Sequence, residues 1–167
     1  MSSKAKTKYR KKTRELLIRM VFQMTVSGDF SDMAKDVFLA DTSLYIGDVA
    51  ENMPVGCIFD QAKEEVPDLN YFNFAFRCIS DNIEEIDSFL EGASKKWSIE
   101  RMSNMDLAIL RVATAELLYI DKIDDATSIS EAVVLARKYS SENSPSFING
   151  ILGAISRAGA REARVEN

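Results

Sequence analysis

Only seven glycines and three prolines interrupt 167 residues, and the stretches between them carry apolar side chains at helical rather than alternating spacing. A chain with so few breakers and a 3.6-residue apolar period must bury one stripe of each helix against other helices, so the sequence predicts an all-α bundle. Its length fits one domain or two small subdomains sharing a core, and 46% apolar content is enough to fill one.

Leu16, Leu17, Met20, Val21 and Met24 recur at helical spacing and predict an amphipathic helix that ends near Gly28, with Arg10, Arg14 and the neighbouring lysines as its first turns. Residues 29–68 are acidic and broken by Pro54, Gly56 and Pro67. They predict two or three short helices carrying Phe38, Leu39, Leu44, Ile46, Val55, Ile58 and Phe59 inward. From Tyr71 to about Leu90 the apolar period runs over five turns and predicts one central helix. Ser103 to Asp106 has the form of a capping box, in which the serine accepts a backbone N–H and the carboxylate reaches back to another. Ser128 to Glu131 repeats the pattern, and Ser144 before Pro145 marks a third start. Around Asn149 and Gly150 a hairpin turn competes with helix. Phe147, Ile151 and Ile155 sit at i, i+4 and i+8, which favours helix, with Gly150 yielding about 1 kcal/mol of propensity for close approach of a neighbour.

Charge is divided unevenly. Residues 1–19 hold Lys4, Lys6, Lys8, Arg10, Lys11, Lys12, Arg14 and Arg19 against Glu15 alone, while residues 20–167 hold 13 basic and 25 acidic side chains. A cationic arm on an acidic body points to a polyanion partner; the plain rival is a solvated terminus. The chain contains no histidine, which removes Ser-His and Cys-His nucleophile pairs and imidazole metal sites. No Gly-rich phosphate loop, nucleophile elbow or acidic spacing of a metal site is present, so neither an enzyme nor a cofactor is expected. Cys57 and Cys78 lie far apart without a metal-binding motif and read as small buried apolar residues. No apolar run approaches the ~18 residues that cross a bilayer, and no signal-type core follows the basic start, so a cytoplasmic protein is expected.

Several collinear stretches resemble the NusB family of transcription antitermination factors. They are Asp106–Arg111, Ala115–Leu117, Ile129–Val133 with Leu135 and Ala136, and Ser144–Leu152; Arg10–Glu15 with Phe22 and Gln23 resemble the family's arginine-rich start and the aromatic after it. The resemblance covers about half the chain and implies a compact bundle of about seven helices in two packed subdomains, about 13–68 and 69–160, led by a basic arm over residues 1–12. It implies binding of single-stranded boxA-type RNA together with the ribosomal protein NusE, within the antitermination complex of RNA polymerase. Carried over residue by residue, RNA contact falls on Lys8, Arg10, Lys11, Lys12 and Arg14. The NusE-facing surface falls on Phe22, Asp106, Tyr139 and Phe147.

Each assignment has a structural alternative. Asp106 also serves as the acid of its capping box, and Phe22, Tyr139 and Phe147 lie on apolar faces where core packing is the default. Arg111 and Glu116 read as structural, bridging neighbouring helices, and Asn149 as a buried amide tying helices together or an RNA contact. The arm departs from the family in favouring lysine, which keeps phosphate attraction but loses the planar arginine fork. Ser130 stands for the usual asparagine, Ala115 for an aromatic, and the family's proline ahead of that helix is absent from Lys122–Ala126. If about four to six phosphates are neutralised, log affinity falls against log salt with a slope of roughly −3 to −4. The rivals are a helical protein adaptor or homodimer without RNA, and a basic amphipathic helix lying on a membrane. A NusB-like domain of a ribosomal RNA methyltransferase is a third, for which no cofactor fold is expected after residue 160.

Overall fold

The computed structural model describes the backbone of residues 3–47, 68–95 and 97–159, and the side chains in those ranges except those of 3–9 and 42–47. Among the described residues there are seven α-helices and no strand. In chain order they are α1 (Ser3–Ser27), α2 (Asp32–Gly47), α3 (Leu69–Asp81), α4 (Ile83–Ala93), α5 (Asn104–Tyr119), α6 (Asp125–Tyr139) and α7 (Ser144–Arg157), with a 3-10 turn at Ile99–Arg101 before α5.

The basic arm and the first amphipathic segment are one helix, and Gly28, at φ 73°, ends it where a left-handed residue is needed. The centre of the bundle is α5, which is buried on every side from Asp106 to Leu118. Ala108, Ala113 and Ala115 leave α5 thin enough for α1, α3, α4, α6 and α7 all to pack on it. Leu16, Leu17, Met20 and Val21 of α1, Phe72 and Phe76 of α3, Ile86 and Leu90 of α4, and Ile148 and Leu152 of α7 close the core around it.

The continuous helix expected over 71–90 is two helices. Asn82 breaks it: its side-chain amide donates to the Cys78 carbonyl at 2.9 Å, a local bond that competes with the helix ladder, and its backbone turns to φ −130°. The helix expected to open at Ser128 begins one turn earlier, because Asp124 is the N-cap and accepts from the Thr127 backbone at 2.9 Å. Ser128 is thereby drawn inside the helix and buried. At α7 the cap is Asn143, one residue before the serine expected there.

Residues 144–157 are helical, not a hairpin, but Gly150 is exposed and an added Cβ there would meet nothing within 4 Å, so no neighbour approaches it closely. Its cost of about 1 kcal/mol is outweighed by burial of Ile148, Ile151, Leu152 and Ile155, each worth roughly 1.5–3 kcal/mol. Cys78 is half-buried, and Phe38 and Leu39 pack against the core from α2. Cys57, Val55, Ile58 and Phe59, and the side chains of Leu44 and Ile46, lie outside the described residues.

Candidate nucleic-acid interface

The leading turns of α1 place their cations differently from one position to the next. Lys11 is exposed, its side chain 56% accessible, and its ammonium meets Glu131 of α6 at 3.0 Å. Glu131 is mostly buried but also has the Arg14 guanidinium 3.7 Å away, so Lys11 is not its sole counter-charge and stays available to a stronger anion. Arg10 and Lys12 are half-buried, and the side chain of Lys8 lies outside the described residues. Arg19, two turns on from Lys12, is exposed as well.

Arg14 does not belong to this surface. It is 3% exposed, and its Nε donates to the Glu116 carboxylate at 2.7 Å while Nη1 lies 3.7 Å from Glu131. Glu116, on the buried middle of α5, has no exposure at all; it also accepts from the Tyr71 hydroxyl and, at 2.7 Å, from Ser128. Burial works to lower the Arg14 guanidinium, but the Glu116 carboxylate, with Tyr71 and Glu131, prevails and holds it above its ordinary value. Burial and the Glu116 charge together push the Tyr71 phenol well above the usual tyrosine range. Arg14, expected to contact RNA, is thus engaged by Glu116, its guanidinium tying α1, α5 and α6 together, and it meets the outside only where it lines the cleft between α1 and the α5–α6 loop.

Between α1 and the loop joining α5 to α6 lies a cleft of about 200 Å³. It is lined by Arg10, Lys11 and Arg14 from α1, by Lys122, Ile123 and Asp124 from the loop, and by Thr127 and Glu131 from α6. Lys122 carries no motif and was not among the residues expected to bind. A single exposed lysine between Ile120 and Asp124 gives no signal until the fold sets it opposite Arg10.

The residues expected to face a protein partner are only partly gathered. Asp106 and Phe147 line one cleft of about 270 Å³ with Trp97, Arg101 and Asn143. Trp97, in the connection between α4 and α5, is 51% exposed and meets Phe147 edge-on, with ring centroids 6.5 Å apart. Ser103 accepts the Asp106 backbone N–H at 3.1 Å, as a capping box requires, but the Asp106 carboxylate turns elsewhere. It accepts from Ser140 at 2.5 Å and Ser144 at 3.0 Å, fastening the turn between α6 and α7. Phe22 and Tyr139 rest half-buried against the core and do not line this cleft.

Arg111 is a bridge, as expected: it forks onto Asp87 of α4 at 2.9 and 2.7 Å and donates to Thr25 of α1 at 2.9 Å. Asn149 is not a buried amide; it is exposed and lines an open groove with Arg137. Among the described residues no cluster of acidic, cysteine or histidine side chains is arranged to hold a metal ion, and no helix is long and apolar enough to cross a membrane.

Residues 11–157 match the model of the NusB family. The chain is 38% identical over 148 residues to the transcription antitermination protein NusB of Clostridium botulinum strain Kyoto, covering 87% of this chain and 98% of that one. It is 34% identical over 150 residues to the protein of the same name from Clostridium novyi, covering 89% and 98%. Among solved structures it is similar to T. maritima NusB, with a TM-score of 0.69 and 27% identity over 95% of this chain and 97% of that one. A crystal structure of antitermination factors NusB and NusE in complex with dsRNA matches at a TM-score of 0.66 and 23% identity, over 90% and 98%, a likeness of fold.

Proposed function

This chain belongs to the NusB family, and from that premise we propose that it is a non-catalytic, cytoplasmic RNA-binding adaptor of transcription antitermination. In this reading it binds boxA-type single-stranded RNA together with NusE. The observation that carries the reading is the cationic face of α1, where Arg10, Lys11 and Lys12 stand on an otherwise acidic chain. Phosphates displace counterions from such a face, so the arm supplies charge-driven affinity while a second protein contributes to the choice of sequence.

Partner contact falls to Phe22, Tyr139 and Phe147, with Asp106 holding the turn between α6 and α7 that shapes the cleft beside Phe147. Exposed Trp97 in the same cleft supports a protein or base contact there, since a large aromatic left half in water gains area when covered.

The test is titration of fluorescent boxA-type RNA with the full chain, alone and with NusE, across a salt series. With Arg14 withdrawn into the core, Lys8, Arg10, Lys11 and Lys12 remain, and the expected slope of log affinity on log salt is about −3. Tighter binding when NusE is added supports the adaptor reading. A salt-independent response, or no retention of RNA with or without NusE, rejects it.

A further inference from the structure

We propose that the cleft between α1 and the α5–α6 loop is a binding subsite for an RNA backbone phosphate, with Lys122 as the cation that the loop contributes. This rests on the RNA-binding reading above and deepens it, by adding a residue from outside the arm and a place for the phosphate to sit.

Of the four cations that line the cleft among the described residues, two have no counter-charge there. Arg14 is held by Glu116, and Lys11 by Glu131. Arg10 and Lys122 have no ion pair among the described residues, although they come from elements far apart in sequence and line the same hollow. Arg10 carries a second sign of an absent partner, since its Nε is buried from solvent and meets no acceptor. A buried N–H in that state costs on the order of 1–3 kcal/mol, which an anionic oxygen in the cleft would recover. The two acids that line the cleft do not fill this role. Asp124 is occupied by the Thr127 backbone and hydroxyl at 2.9 and 2.7 Å, and those bonds hold its carboxyl below the ordinary range.

Shape and chemistry narrow the anion. At about 200 Å³ the cleft exceeds the ~30 Å³ share of one water several-fold, room for a phosphate with part of its hydration. Among the described residues no aromatic side chain lines it, so none of them offers a nucleobase a ring to stack on. A free nucleotide is poorly served there, whereas a phosphodiester arriving along α1 needs only the charges. Lys11, its own side chain 56% accessible, can turn from Glu131 to the phosphate, since Glu131 keeps the Arg14 guanidinium at 3.7 Å.

The experiment measures fluorescence anisotropy of a short boxA-type RNA over a salt series with the intact chain and with Lys122→Ala, Lys122→Glu and Lys95→Ala. Lys95 is an exposed lysine beyond α4 that reports on general charge. Lys122→Ala is expected to weaken binding three- to tenfold and make the salt slope shallower by about 0.7, the share of one phosphate on a single strand. Lys122→Glu weakens it further, and Lys95→Ala leaves both quantities unchanged. Inorganic phosphate competes with the RNA for the intact chain more strongly than for Lys122→Ala. The proposal is overturned if Lys122→Ala keeps the parent affinity and slope while Lys11→Ala loses affinity, since the RNA then follows α1 without touching the loop. Equal losses for Lys122→Ala and Lys95→Ala overturn it too, reducing Lys122 to diffuse charge. If the intact chain retains no RNA, the functional reading itself fails, and the subsite with it.

Discussion

Arg10 and Arg14 stand one helical turn apart on α1, on the same face, and have opposite fates. Opposite Arg14 the bundle presents Glu116 at 2.7 Å; opposite Arg10 it presents a cleft. Four residues along one helix thus separate a guanidinium that fastens the core from one left open to a ligand. The difference lies in neither residue type nor local spacing but in what the rest of the chain sets opposite each position. A buried charge is tolerated only when its partner and its remaining hydrogen bonds are supplied. Glu116 meets that demand three times over, through Arg14, Tyr71 and Ser128, whereas the cleft around Arg10 meets it for Lys11 alone among its outer cations.

The largest effect that tests this contrast is on stability. Arg14→Leu takes the 2.7 Å guanidinium away from the buried Glu116 carboxylate, and is expected to cost about 3–5 kcal/mol in urea denaturation. The double variant Arg14→Leu with Glu116→Leu removes both charges and is expected to recover most of that loss, because an apolar pair of similar volume often serves as well as a buried ion pair. Should Arg14→Leu melt with the parent protein and lose only RNA affinity, Arg14 belongs with Arg10 and the contrast is wrong.

Such a contrast could not be read from the sequence, and the reason is distance along the chain. The Arg14 to Glu116 bond spans 102 residues, and nothing local to either end reports it. Features that depend on a few neighbours were legible: the stop at Gly28, the serine cap at Ser103, and the helix through Asn149 and Gly150 with its i, i+4 spacing. Apolar periodicity predicted α1 and α5 but misjudged the stretch after Tyr71, since Ile79, Ile83 and Ile86 keep the period across Asn82 while that side chain takes the Cys78 carbonyl. The site was legible as a run of cations and no further. Charge counting cannot tell which of Lys8 to Arg14 faces inward, and Lys122 becomes visible only once the α5–α6 loop is folded back beside α1. Trp97 carried no signal of its own in the sequence, and only the packed structure shows it half in water beside Phe147.

A smaller effect separates charge from hydrogen bonding within the buried group. Tyr71→Phe deletes one donor to Glu116 while keeping the ring beneath the Arg14 guanidinium, 5.9 Å from its centroid. Loss of a bond to a charged acceptor is expected to cost about 1.5–3 kcal/mol at neutral pH, less than loss of the counter-charge itself. The pH dependence carries a definite sign. The folded phenol keeps its proton well above the usual value near ~10, so its contribution is complete below about pH 10 and is lost as pH rises through the folded value. In urea titrations between about pH 8 and 11, stability of the parent is expected to fall more steeply than that of Tyr71→Phe, the two curves converging toward the alkaline end. Parallel curves would mean that the hydroxyl is not held by Glu116.

Arg10→Ala is expected to move stability least. Its Nε has no partner to lose and its guanidinium no ion pair among the described residues, so the substitution removes a desolvated group along with some packing of its aliphatic stem. The two partly cancel, and a change within about 0.5 kcal/mol follows. RNA affinity behaves in the opposite way. A cation with no counter-charge among the described residues gives more of its interaction to an arriving phosphate, whereas Lys11 must first part from Glu131. Arg10→Ala should therefore weaken RNA binding at least as much as Lys11→Ala, although Lys11 is the more exposed of the two. Measured side by side in the same salt series, a larger loss for Lys11 would show that exposure, and not the missing counter-charge, decides which cations of α1 hold the RNA.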